Sequence, residues 1–173
     1  MNKIVVIIGG IIGIFAALLW LFEPSLGWWE VNVENYLGLF DGSGYINAFG
    51  YATNTANDNT EFHGPLLLLG GILFLVSSIV AILSALKENK SISILSAILL
   101  ATGLGLFCYG LVVIEDFENI LEGLNFLTGE EYTIFFGEED LGGFGDWTWR
   151  LGNGFFIGIG AFVVTLIGAL LKD

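Results

Sequence analysis

The sequence predicts an integral membrane protein of mainly α class: a four-transmembrane-helix bundle with a small extracellular β-sheet and an extended third helix. Apolar runs without a single charge occur at residues 4–22, 66–86, 92–114 and 151–171. Each is long enough to cross a hydrocarbon core of about 30 Å as a helix. The mean hydropathy of +0.80 exceeds that of ordinary soluble domains. Alternating apolar and polar residues between the first two runs supply the sheet.

Lysines set the expected orientation. Lys3, Lys87, Lys90 and Lys172 flank one side of the predicted membrane, and only Arg150 lies on the other. Lysine-rich short loops stay inside, so a multi-pass protein of the cell membrane with both termini cytoplasmic is expected. The outer loops, about 24–63 and 115–150, with Glu23 just ahead of the first, hold sixteen of the eighteen acids against Arg150, a formal −15. Such a surface repels nucleic acid and attracts cations or basic partners.

The whole chain, 1–173, reads as one tetraspan domain. Its first span covers about 3–23 and is stopped by Pro24. That run is too long for a signal-peptide core, and no small-x-small cleavage site follows, so it is expected to remain as a span. The second span, about 65–87, opens at Gly64–Pro65, with proline suited to a first helical turn. A turn of four to five residues then makes the second and third spans an antiparallel pair.

The third span, about 91–114, is expected to continue to about 127. Val113, Phe117, Ile120, Leu121 and Leu124 make an apolar stripe, with Glu115, Glu118 and Glu122 opposite. The fourth span covers about 151–171.

In the first outer loop, Trp29, Val31 and Val33 alternate with Glu30, Asn32 and Glu34, the pattern of a half-buried strand. A turn is expected at Asp41–Gly42–Ser43–Gly44, and a returning strand at Tyr45–Ala52. Residues 132–136 have the composition of a further strand. Trp20, Trp28, Trp29, Trp147 and Trp149 fall near the outer boundary and are expected to form an aromatic belt at the headgroups.

No enzyme signature is present, so no catalytic residue, cofactor site or metal site is assigned. One histidine and one cysteine, Cys108 within the third span, do not make a metal site in one chain and leave no intrachain disulfide. His63, beside Gly64–Pro65, is expected in an interfacial or capping role, against a pH-sensitive contact or a shared metal site. Charge-free spans argue against transport, and the scattered hydroxyls suit helix–helix hydrogen bonds. The clusters Glu130–Glu131 and Glu138–Glu139–Asp140, with Asp146, lack the spacing of a calcium loop; they read as solvated surface, with divalent cations a possible partner. Gly9-x-x-x-Gly13 and Gly154-x-x-x-Gly158 mark helix packing, either within the bundle or against another subunit.

Pro24 followed by Trp28–Trp29, then Gly38–Leu39–Phe40, together with the fourth-span run Leu151–Ala161, resembles the claudin and peripheral-myelin-protein group of tetraspan proteins. The group's loop motif has tryptophan where Phe40 stands, and its loop cysteine pair is absent. The resemblance implies an outer β-sheet on a left-handed bundle, used for lateral assembly or cell-surface contact.

The expected function is therefore non-catalytic, in membrane protein assembly or in cell-surface or cell-envelope contact through the acidic cap. The expected interaction surface is the exposed part of the first loop, Glu30, Asn32, Glu34 and Tyr36, with Asp41 and Tyr45 at its tip. Partners are the lipid bilayer and other membrane subunits or further copies of the chain. The alternative is an accessory structural subunit of a larger membrane enzyme complex.

Overall fold

A computed structural model of the chain describes residues 1–34, 42–54, 60–114, 122, 131–140 and 145–171. Helix α1 (Lys3–Leu18) starts at Asn2, whose side-chain oxygen accepts the Val5 amide. It tightens into a 3-10 turn at Leu19–Leu21, and a second turn, Pro24–Leu26, leads into strand β1 (Trp29–Glu34). Strands β2 (Gly42–Ile46), β3 (Tyr51–Asn54) and β4 (Thr60–Phe62) follow. Helices α2 (Pro65–Leu86) and α3 (Lys90–Val112) form a hairpin. Strands β5 (Phe136–Asp140) and β6 (Asp146–Leu151) then lead into helix α4 (Asn153–Leu170).

Four helices are thus long and apolar enough to cross a membrane. In the bundle α1 packs on α2 and α4, and α3 packs on the same two. Glycine sets how closely they approach. A Cβ on Gly9 would overlap Thr165 of α4, and one on Gly13 would overlap Ser78 of α2. Gly70 and Gly103 face each other across α2 and α3, each with a hypothetical Cβ 2.9 Å from the other's carbonyl oxygen. Gly158 meets Leu104 and Phe74, whereas Gly154 packs on the carbonyls of Leu26 and Gly27 and on the Trp28 ring, ahead of β1. All four glycines singled out from the sequence are therefore in close contact within this chain.

The buried hydroxyls do two jobs. Ser77 and Ser78 donate to the carbonyls of Leu73 and Phe74, one turn back on their own helix. Ser84 and Ser93 bond to each other at 2.7 Å and join α2 to α3 near their turn. At that end of the bundle Lys3 bonds to Glu88 at 2.9 Å, and Asn89 caps α3 through the Ile92 amide. Glu88 takes a left-handed backbone with φ +53°, a conformation that favours glycine.

The sheet covers the other end of the bundle. Its order is β4–β3–β2–β1–β6–β5, with every neighbouring pair antiparallel. Two expectations are corrected here. The single returning strand at Tyr45–Ala52 is two strands, broken at Asn47. The Asn47 side chain accepts the amides of Phe49 and Tyr51, and Gly50 turns the chain at φ +80°. Such local bonds compete with the ladder. Likewise Gly42–Gly44 belong to β2 rather than to a turn.

The strand expected at 132–136 begins instead at Phe136 and runs through the acids to Asp140. Ahead of it, indoles take the carbonyls of Thr133 and Ile134, and Phe135 accepts the Leu151 amide of β6 at 2.9 Å. Trp29 Nε1 donates to Ile134 and Trp149 Nε1 to Thr133, both at 2.7 Å. As for the third span, α3 stops at Val112, with Val113 as its cap. The amphipathic continuation expected beyond it lies outside the described residues, apart from Glu122.

Candidate interaction surface

The tryptophan belt is the largest correction. Trp28 is fully buried, and Trp29 and Trp149 are buried as well. The Trp28 ring meets Phe74 of α2, Phe107 of α3 and Phe155 of α4 edge-on, with centroids 5.0, 5.0 and 5.7 Å away. Its N–H donates to Ala16 of α1 at 2.8 Å. One residue ahead of the sheet thus touches all four helices. Aromatic edge contacts of this kind each contribute about 0.5–1.5 kcal/mol beyond burial. The backbone completes the joint: Gly152 donates to the Trp28 carbonyl and Gly154 to that of Gly27, so the start of α4 is bonded to the start of β1. The sheet is a fixed part of the bundle.

From that joint the strands grade in character. At the foot, Trp29 lies in register with Ile46 and Leu151. Next come Glu30, Tyr45, Arg150 and Phe136. Two residues farther, Asn32 is level with Ser43, Thr148 and Glu138, and the Ser43 hydroxyl bonds to Asn32 at 2.6 Å. At the far end Glu34, Asp146 and Asp140 align across three adjacent strands. The rise of a strand puts this rank about 16 Å beyond Trp29.

Successive side chains alternate between faces, so Glu30, Asn32 and Glu34 share one face with Thr148, Glu138, Asp146 and Asp140. The opposite face carries the indoles and the segment beneath them. Glu139 is on that second face, where it accepts the Tyr132 hydroxyl.

Asn32 is half-buried mid-sheet and Glu34 is exposed at the far end. Glu30 is not exposed as expected; it is 5% exposed and paired with Arg150, the one cation of the two long loops. Burying a carboxylate requires a charged, hydrogen-bonded partner, and the register between β1 and β6 supplies it. Tyr45 is half-buried beside that pair. Tyr36 and Asp41 lie outside the described residues.

The residues missed by sequence reasoning are Thr148, Glu138, Asp140 and Asp146 as members of the same face; only the pairing of β6 between β1 and β5 puts them there. Among the described residues, no group of three or more histidine, cysteine or carboxylate side chains is arranged to hold a metal ion. No protein-family model and no curated protein sequence matches the chain.

Proposed function

We propose that this chain is a non-catalytic tetraspan protein of the cell membrane that works by protein–protein contact through its sheet. The α2–α3 turn and both termini face the cytoplasm, where the lysines are, and the sheet faces outward. The observation that carries the reading is the rank Glu34–Asp146–Asp140, held at the far end of a sheet that Trp28 fixes to all four helices. Three carboxylates level with one another concentrate acidic side chains at one end of the sheet. A surface of that kind suits a basic partner.

The test is cross-linking in the native membrane from Thr148 or Asn32, beside the rank. The reading predicts adducts with a defined protein neighbour. Adducts confined to lipid or to the chain itself would count against it.

A second reading, the accessory subunit of a membrane enzyme complex, is favoured by one observation. Gly105 on α3 and Gly160 on α4 face open space, with nothing within 4 Å of a hypothetical Cβ. Close helix approach is the usual use of glycine in a span. Co-purification with a catalytic subunit at fixed stoichiometry supports this reading over the first.

A further inference from the structure

Trp28, Trp29 and Trp149 are drawn inside and Trp20 and Trp147 are half-buried, yet exposed aromatic rings remain, and their placement is uneven. Phe22 directly follows the 3-10 end of α1, and it is 81% exposed. Phe62 precedes the first residue of α2 by three positions, and Tyr51 is its cross-strand neighbour, with ring centroids 5.3 Å apart. Tyr109 lies three positions before the last residue of α3, and Phe156 three positions after the first residue of α4. Phe136, 69% exposed, is in register with Arg150, itself three positions ahead of α4.

Every helix therefore has an exposed aromatic ring within about one turn of its sheet-side end. Both edge strands, β4 and β5, carry one as well. The other exposed aromatic residue among those described, Phe15, lies seven positions before Phe22, about 10 Å deeper along the helix. At the opposite end the exposed large apolar residues are aliphatic, among them Ile4, Leu86, Ile92 and Leu170, and exposed Lys87 and Lys90 sit beside them.

Three extended residues reach about 10 Å. The polar layer on each side of a hydrocarbon core is about 5–8 Å thick. The six rings thus fall at the depth where tyrosine gathers and where phenylalanine buries at the headgroup–acyl boundary, and Tyr109 and Phe156 lie one turn from exposed Val112 and Ile159 on their helices. We infer that Phe22, Tyr51, Phe62, Tyr109, Phe136 and Phe156 form an interfacial ring that seats both edges of the sheet in a zwitterionic headgroup layer. The outer side as a whole carries a formal −15, which repels anionic headgroups and selects the zwitterionic class. The sheet then stands on the membrane by two feet, with the rank Glu34–Asp146–Asp140 held away from it. The inference rests on the membrane-spanning reading of the bundle, and it is independent of any partner at the rank.

The experiment uses nitroxide labels on the full chain in phosphatidylcholine bilayers, with Cys108→Ser as background. Labels are placed by Phe62→Cys, Phe136→Cys, Thr148→Cys and Ile159→Cys. Collision with oxygen relative to a water-soluble nickel complex is expected to be several-fold higher at 62 and 136 than at 148, and highest at 159. A ratio at 62 and 136 equal to that at 148 overturns the inference, because the sheet then stands clear of the lipid. Protection of 62 and 136 from both reagents also overturns it, because protein then covers the ring. Water access at 159 overturns the membrane-spanning reading itself. A photoreactive benzophenone residue at 62 or 136 gives an independent readout: adducts with lipid support the ring, and adducts with protein alone overturn it.

Discussion

The indole N–H of Trp28 donates to the carbonyl of Ala16 at 2.8 Å, two residues before α1 ends at Leu18 and tightens into its 3-10 turn. A residue of the connecting segment thereby serves as the core of the bundle at this end. Trp28→Ala opens a cavity between Phe74, Phe107 and Phe155, and large aromatic truncations of this kind cost about 3–5 kcal/mol. Trp28→Phe retains much of the ring and loses the bond, a smaller loss of about 1–3 kcal/mol from the unsatisfied carbonyl. Unfolding in mixed detergent micelles measures both, and the expected order is wild type, then Phe, then Ala.

Glycines in the bundle divide into two groups with opposite expected responses. Gly13→Val drives a branched side chain into Ser78, so it destabilises by about 1–3 kcal/mol through overpacking. Gly105→Ala meets open space and gains helix propensity of up to about 1 kcal/mol. The same unfolding assay reads both. Equal destabilisation by the two variants would contradict the close α1–α2 contact.

At the turn between α2 and α3, the bond from Lys3 and its charge hold the Glu88 carboxyl below the ordinary carboxylate range. A depressed folded pKa stabilises the fold above the unfolded value and loses that contribution as pH falls through the folded value. Wild type is therefore expected to be more stable than Glu88→Gln at neutral pH, and to converge with it in acid below the ordinary carboxylate range. High salt reduces the difference at neutral pH, because the pair is exposed. Glu88→Gly removes the bridge and also relieves the left-handed backbone at φ +53°. It is accordingly expected to be more stable than Glu88→Gln at every pH, as read by thermal unfolding.

The clasp of residues 133 and 134 by two indoles predicts a local effect. Trp149→Phe leaves the Thr133 carbonyl without its 2.7 Å donor and weakens the aromatic contact with Tyr132. Hydrogen exchange is expected to quicken across 131–140, while protection in α2 and α3 is retained. Uniform loss of protection would show instead that this segment unfolds only with the bundle.

Much of the four-helix architecture was legible in the sequence, because each charge-free run of about twenty residues matches a helix long and apolar enough to cross a membrane. Pro65 and the short α2–α3 turn were equally plain. The alternation in β1 placed Asn32 and Glu34 on one face of a strand. Burial was harder to read. Trp28 and Trp149 look like interfacial residues in a linear sequence, and only the approach of Phe74, Phe107 and Phe155 from three helices makes a closed pocket for Trp28. Glu30 reads as solvent-facing because its partner is 120 residues away, on β6. The Glu34–Asp146–Asp140 rank was illegible for a similar reason. Its members come from three strands, and register is fixed by pairing rather than by local pattern.

The rank is the feature on which the proposed function turns. Asp146→Asn removes the middle charge of the rank while keeping the size of the side chain. Contact with a basic partner is expected to weaken. The most direct measurement is quantitative cross-linking from Asn32 in native membranes, comparing wild type with Glu34→Gln, Asp140→Asn and Asp146→Asn combined. The predicted result is a discrete protein adduct in wild type that falls at least several-fold in the combined variant, with thermal unfolding used to verify that the variant is folded. An adduct of equal yield in the combined variant, or no protein adduct in wild type, would contradict contact through the acidic end of the sheet.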